Sequence, residues 1–251
     1  MPGRVEQVRA EAARTRRRHV LSVDAIVEQA LRIVDTEGVQ AVSMRRIAAE
    51  FDTGPASLYA HVASKEALLR LVLDRILDEV EIPTGDDWQE VIRSLAHNAR
   101  AVLQRHNDAA VLSFAHIPTG RNTLESVERV LATMLAGGVP PQVAAWSMDI
   151  ISLYVAADVY EGWLLRQRFD DGTGRDPEEI GQEWVGKIAQ SFAEVPADRY
   201  PALVANAHAM MTGDSDQRFA FGIDMLIAGF AAQIDPARIS PRPSAPPSGT
   251  P

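Results

Sequence analysis

Apolar residues in this chain recur at three- and four-residue intervals, and no stretch has the two-residue alternation of a strand. Between residues 22 and 37, Val23, Ile26, Val27, Ala30, Leu31 and Val34 fall on one helical face, with Ser22 as cap and Gly38 as stop. Residues 43–66 then read as two short helices with a tight turn between them and a third helix starting just after. Ser43 caps the first, whose apolar face is Ile47, Ala48 and Phe51. Asp52-Thr53-Gly54-Pro55 breaks the pattern, because Gly and Asp tolerate left-handed turns and Pro suits a first helical turn. Leu58 and Val62, four apart, face inward, which leaves Ser57, Tyr59, His61 and Lys65 pointing elsewhere. Small, hydrogen-bonding side chains on the outer face of a second short helix suit a reader of the DNA major groove.

From Ser64 a longer helix runs to about residue 80 on Leu68, Leu69, Val72, Leu73, Ile76 and Leu77, and Pro83-Thr84-Gly85-Asp86 interrupts the chain there. Helix then follows helix. Asp87 caps a segment from Trp88 to about His106, with Val91, Ile92, Leu95, Ala99, Val102 and Leu103 as its stripe. A short piece spans Asp108 to His116, and a helix spans Leu124 to Leu135. The segments Gln142–Arg168 and Asp216–Ile234 are apolar on more than one face, which requires burial against several neighbours, one of them a second subunit. Glu178–Phe192 and a weakly patterned Tyr200–Met211 lie between them, after a polar connection at 170–177. The resulting expectation is an all-α protein in four parts. These are a basic flexible arm (1–19), a DNA-binding unit (20–82), a larger helical domain (83–235) and a disordered tail (236–251) holding 6 of the 15 prolines.

Composition adds division of labour. The net charge is -9, yet residues 1–75 hold 12 Lys/Arg against 10 Asp/Glu, while the remaining residues hold 13 against 24. The first part can therefore sit on phosphates, and its Arg-rich arm can follow the DNA backbone or minor groove. The absence of cysteine excludes disulfides and thiolate metal sites. No apolar run approaches the ~20 residues of a membrane span, and the Arg-rich start lacks the apolar segment of a secretory signal. The expected location is the cytoplasm. Neither metal-ligand spacing, a phosphate loop nor a catalytic triad order is present, so no catalytic residue, metal or cofactor is assigned. In the larger domain, His97, His106, Asn107, His116, Tyr154, Asp158, Glu161 and Trp163 are the polar or amphipathic residues among apolar helices. Asp158 and Glu161 share a helical face, and His116 could complete a carboxylate and imidazole cluster. Of these, His97, His116, Tyr154, Asp158, Glu161 and Trp163 form the candidate set for a small-molecule effector. The stripe Trp146, Met148, Tyr154, Tyr160, Trp163 reads mainly as core, beside which an apolar cavity could hold a ligand.

The stretch SMRRIAAEFDTGPASLYAHVASKEALL resembles the DNA-binding signature of the tetracycline-repressor (TetR) family. The matching positions are Ser43, Ile47-Ala48, Leu58-Tyr59-Ala60-His61 and Lys65-Glu66-Ala67-Leu68. A weaker likeness to the Tet-repressor C-terminal domain runs through Asp87-Trp88-Gln89, Arg105-His106, Pro118-Thr119, Thr123-Leu124-Glu125, Phe221-Gly222-Ile223 and Gly229. The resemblance implies an N-terminal three-helix helix-turn-helix domain plus a larger helical ligand-binding and dimerisation domain. It implies a homodimer joined by a four-helix bundle from the helices near 142–168 and 216–234, a double-stranded DNA operator, and no enzymatic activity. Arg45 is aimed at a phosphate or base edge. Tyr59, His61 and Lys65 are phosphate anchors, and Gly54 meets the groove early in the second helix. Base reading rests on Arg45, Thr53, Pro55, Ala56 and Ser57. Asp52 stands where the family's turn often has Gly, so a slightly strained left-handed turn is expected. Leu95 and Ala99 stand where the tetracycline binder has a polar amide and an aromatic, which points to a ligand other than tetracycline. The resulting expectation is a repressor released from a palindromic operator by a small, largely apolar ligand. The alternative is a ligand-independent dimeric regulator whose second domain only dimerises.

Overall fold

The computed structural model describes residues 21–114, 117, 119–170 and 175–234. The arm at 1–19, the tail at 236–251, part of the polar connection and His116 lie outside the described residues. Within them the chain is helical, with no strand.

The N-terminal unit contains α1 (Val23–Glu37), α2 (Met44–Glu50), α3 (Pro55–Tyr59) and α4 (Lys65–Leu77), with a 3-10 turn at Val39–Ala41 after α1. Each cap assigned to it by pattern is in place. Ser22 accepts from the Ala25 N–H, Ser43 from Arg46 and Ser64 from Ala67, at 3.1 to 3.3 Å. Gly38 ends α1 at φ +88, a conformation L side chains resist, and its N–H donates to the Val34 carbonyl. Asp52 takes φ +53 at the turn between α2 and α3, the left-handed conformation expected there. Ile26, Ile47, Leu58, Leu68, Leu73 and Ile76 are fully buried among these helices, and Val62 is nearly so. One pattern assignment fails. Val23 sits at the open first turn of α1 and is exposed, while Ile33, outside the expected stripe, is buried.

The second part contains α5 (Trp88–Leu103), a 3-10 stretch (Ala109–Phe114), α6 (Arg121–Ala136), α7 (Pro141–Phe169), α8 (Pro177–Ala193), α9 (Pro201–Met211) and α10 (Ser215–Ala231). Compared with the pattern, α4 and α5 each end three residues early and α6 starts three residues early, at Arg121. Helix α7 is the spine, packing against α5, α6, α8, α10 and the 3-10 stretch. At Gly222 a Cβ would lie 2.0 Å from the Tyr154 hydroxyl, so the absence of a side chain lets α10 close on α7. Three helices are tied at buried Arg100. Its guanidinium donates to Asp158 on α7 at 2.6 Å, to Asp216 on α10 at 2.6 Å and to the Ser215 hydroxyl, and it lies over the Phe219 ring. Burial opposes this charge, and the hydrogen bonds from Asp216 and Asp158 outweigh that cost, so the guanidinium is held above its ordinary value.

Two further expectations need correction. Trp146, read as core, is 64% exposed. With Ile150, Leu153 and Leu164 it forms an apolar stripe along the outside of α7, and Phe221 and Met225 do the same on α10. Helix α7 is also long and apolar enough, by length and composition, to cross a membrane, although no uninterrupted apolar run suggested it. Only 28% of its most apolar window is buried within one subunit.

Candidate nucleic-acid interface and effector cavity

Helix α3 is five residues long, opened by Pro55 at its first position and by Gly54 as a cap without a side chain. Its inward anchor is Leu58, so every other side chain is left for the outside. Ala56, Tyr59 and His61 are exposed, as are Gly54 and Arg45, while Thr53, Pro55, Ser57 and Lys65 are half-buried. The Thr53 hydroxyl donates to Ser57 Oγ at 2.8 Å, which leaves the Ser57 hydroxyl proton available to an outside acceptor. The neighbouring arginines separate by role. Arg46 is bound by both carboxylate oxygens of Glu37, one at 2.7 Å, and is held in the protein, whereas Arg45 points to solvent. That pairing raises the Arg46 guanidinium and lowers the Glu37 carboxyl from their ordinary values.

The end of this unit is bolted to the second part by polar contacts. The Val39 N–H donates to buried Asp108 Oδ1 at 2.8 Å, and the backbone of Gly38 lies against the same carboxylate. His106 Nδ1 meets Asp35 of α1 at 2.8 Å, and its Nε2 lies 3.4 Å from Glu79, just beyond α4. Glu79 also accepts from Arg105 at 2.7 Å, and this hydrogen bond leads the causes that hold its carboxyl below the usual value. Asp74 Oδ1 of α4 accepts from the N–H groups of Thr119 and Gly120, where α6 begins. Asn122 on α6 donates to the carbonyls of Leu77 and Val80, at 2.6 and 2.9 Å. Asn107, between His106 and Asp108, has φ +44, and its side chain accepts from Trp163 Nε1 at 2.7 Å.

Behind these contacts lies a cavity of about 450 Å³. One wall is apolar, formed by Leu77 and Val80 at the end of α4 and by Ile92, Leu95, Ala96, Ala99 and Leu103 of α5. The opposite wall carries the polar groups. Thr123 and Ser126 of α6, and Asp149 and Ser152 of α7, each come as a pair three residues apart, and Ser113 joins them from the 3-10 stretch. The effector residues expected from sequence are elsewhere. Exposed His97 sets its ring edge on Phe219, and Tyr154 stacks on Phe219 and donates to the Arg218 carbonyl at 3.2 Å. Burial, followed by nearby Asp158, raises the Tyr154 phenol and keeps it a donor. Asp158 is spent on Arg100, Glu161 is exposed, and Trp163 stacks on Tyr160. None of these five lines the cavity, because their polar atoms hold helices together or face outward. The cavity's own signal was a polar pair at i, i+3 on an otherwise apolar helix face, at 123/126 and 149/152.

A small helical head with an exposed short second helix, fixed at several polar points to a helical body with a largely apolar cavity, defines a DNA-binding regulator with a sensor domain. Residues 26–72 match the family described as bacterial regulatory proteins, tetR family, and residues 83–234 match the tetracyclin repressor-like C-terminal domain. The chain belongs to the tetR family of transcriptional regulators. It is 31% identical over 220 residues to an HTH-type transcriptional regulator of Saccharopolyspora erythraea, covering 87% of this chain and 88% of that one. It is 28% identical over 217 residues to the HTH-type transcriptional repressor DrrR1 of Streptomyces coeruleorubidus, covering 85% and 78%. Among solved structures, ActR of Streptomyces coelicolor in complex with actinorhodin is 35% identical, with a TM-score of 0.76, covering 87% of this chain and 99% of that one. These relatives make the chain a DNA-binding transcriptional regulator of the ligand-responsive repressor type.

Proposed function

We propose that the protein is a cytoplasmic homodimer that binds a palindromic operator and releases it when a small, largely apolar molecule fills the α4–α7 cavity. The cavity carries this reading. Its wall includes Leu77 and Val80, at the end of the helix that closes the DNA-binding head, so an occupant touches both parts at once. The ligand-bound state of ActR supports a sensor role for the domain. The exposed stripes on α7 and α10 support dimerisation, since apolar patches of this kind on one subunit are covered by another. In such a dimer two copies of α3 must meet half-sites one helical turn or a multiple apart, so a change in head separation costs affinity. An effector can impose that change only by binding one arrangement better than the other.

On the DNA side the reading assigns Arg45, Thr53, Pro55, Ala56 and Ser57 to base edges, and Gly54, Tyr59, His61 and Lys65 to backbone approach. The exposure of α3 and the pairing of Arg46 with Glu37 support this division, because they leave Arg45 as the arginine on α2 that is available to DNA. The test is footprinting of the dimer on DNA upstream of its own reading frame. The expected result is a protected palindrome that is lost on adding a cavity ligand and retained by Ala99→Trp, whose indole fills the cavity. Ligand release that persists in Ala99→Trp would place the effector elsewhere.

A further inference from the structure

The cavity has one charged group on its wall, Asp149, and the rest of the domain leaves that group unmatched. Every other polar lining residue is a neutral hydroxyl: Ser113, Thr123, Ser126 and Ser152. The arginines around it are committed elsewhere. Arg100 is held by Asp158 and Asp216, Arg93 by Glu90 and Asp224, Arg105 by Glu79 and Arg121 by Glu125. Asp149 has no hydrogen bond or ion pair from any described residue. A carboxylate beside apolar surface gains from an opposite charge and repels a like one. The acidic balance of residues 76–251, 13 Lys/Arg against 24 Asp/Glu, gives the approach to the cavity the same sign.

We infer that the effector of this cavity is an amphipathic, ring-bearing amine. Its apolar edge lies on the α4–α5 wall, its polar substituents meet the hydroxyls of α6 and α7, and its protonated nitrogen pairs with Asp149. This rests on the reading of the cavity as the effector site, and it selects among ligands of similar shape. A neutral analogue keeps the ring contact and loses the ion pair. An acidic analogue places its charge against Asp149 with no described cation on the wall to receive it.

The test uses three fluorescent probes that share one flat tricyclic body: 9-(aminomethyl)anthracene, 9-anthracenemethanol and 9-anthracenecarboxylate. Each is titrated into the full-length protein, into Asp149→Asn and into Ala99→Trp, following probe anisotropy. The expected order in the unmodified protein is amine, then alcohol, then carboxylate, with the amine about tenfold tighter than the alcohol, the gain of one charge-assisted hydrogen bond. In Asp149→Asn the amine should fall to the level of the alcohol, and an unchanged alcohol affinity reports an intact cavity. If the amine and alcohol bind the unmodified protein equally, or if Asp149→Asn keeps the amine's advantage, the amine assignment is overturned while the cavity reading stands, provided Ala99→Trp blocks all three. If no probe binds, or if Ala99→Trp blocks none, the cavity reading fails and takes this inference with it.

Discussion

Asp108 is the place where one side chain tests whether the head and the body act as a unit. Its carboxylate is 7% exposed and receives the Val39 N–H at 2.8 Å, across 69 residues of sequence. Asp108→Ala removes the acceptor and leaves a buried backbone N–H unpaired, a penalty of about 1–3 kcal/mol. Taking the middle of that range, and about 2–4 °C per kcal/mol for a chain of this size, the melting temperature should drop by about 4–8 °C. Protein concentration must be held fixed, because subunit association contributes to the apparent stability. Asp108→Asn keeps an oxygen acceptor in the same place and should recover most of the loss. Gly38→Ala attacks the contact from the other side, since a Cβ there would sit 3.1 Å from the same carboxylate on a φ of +88. The functional readout is the ratio of DNA affinities with and without a cavity ligand. Loosening the bolt should shrink that ratio while leaving ligand affinity itself within a few-fold, because coupling travels through contacts that both sites bias. A melting temperature for Asp108→Ala within about 1 °C of the unmodified protein, or an undiminished ratio, would refute the argument that this hydrogen bond joins the two parts.

Three other outcomes follow from the same geometry. Arg45→Ala combined with Lys65→Ala should weaken operator binding and lower the slope of log affinity against log salt by about 2, one per lost phosphate contact; an unchanged slope in filter binding would remove both residues from the backbone. The Glu79 carboxyl is held low, chiefly by Arg105, so its contribution to stability is present above the ordinary carboxylate range and is lost as pH falls through its folded value. The stability gap between the unmodified protein and Glu79→Gln should therefore narrow between about pH 6 and about pH 3 in urea melts, and a gap that widens on acidification contradicts the sign. Trp146→Asp, placed on the exposed stripe of α7, should turn a dimer into a monomer in sedimentation velocity at micromolar concentration, while a persistent dimer would move the subunit contact off that stripe.

The helices, their caps and the left-handed turn at Asp52 were legible in the sequence because they depend on neighbours three or four residues apart. Ser22, Ser43, Ser64, Asp87 and Gly38 act within their own turn of chain, so no knowledge of the rest of the molecule is needed to place them. The turn and the exposed face of α3 were read for the same reason: with Leu58 pinned inward, the other positions have nowhere to go but out. The second domain behaved differently. His97, Tyr154, Asp158, Glu161 and Trp163 look alike in sequence, as polar groups on apolar helices, yet Asp158 is bound by an arginine 58 residues away and Trp163 by an asparagine 56 residues away. Whether a polar side chain on a helix locks a neighbour, faces water or opens into a cavity depends on which helix crosses it. That crossing is fixed only when the whole bundle packs. The same holds for Asp108 and Val39, and for the wall that brings Leu77 of α4 opposite Asp149 of α7. Local periodicity thus determined that this chain folds into helices and carries a DNA-reading head. The cavity, its one unmatched carboxylate and the bolts between head and body exist only because distant helices close on one another.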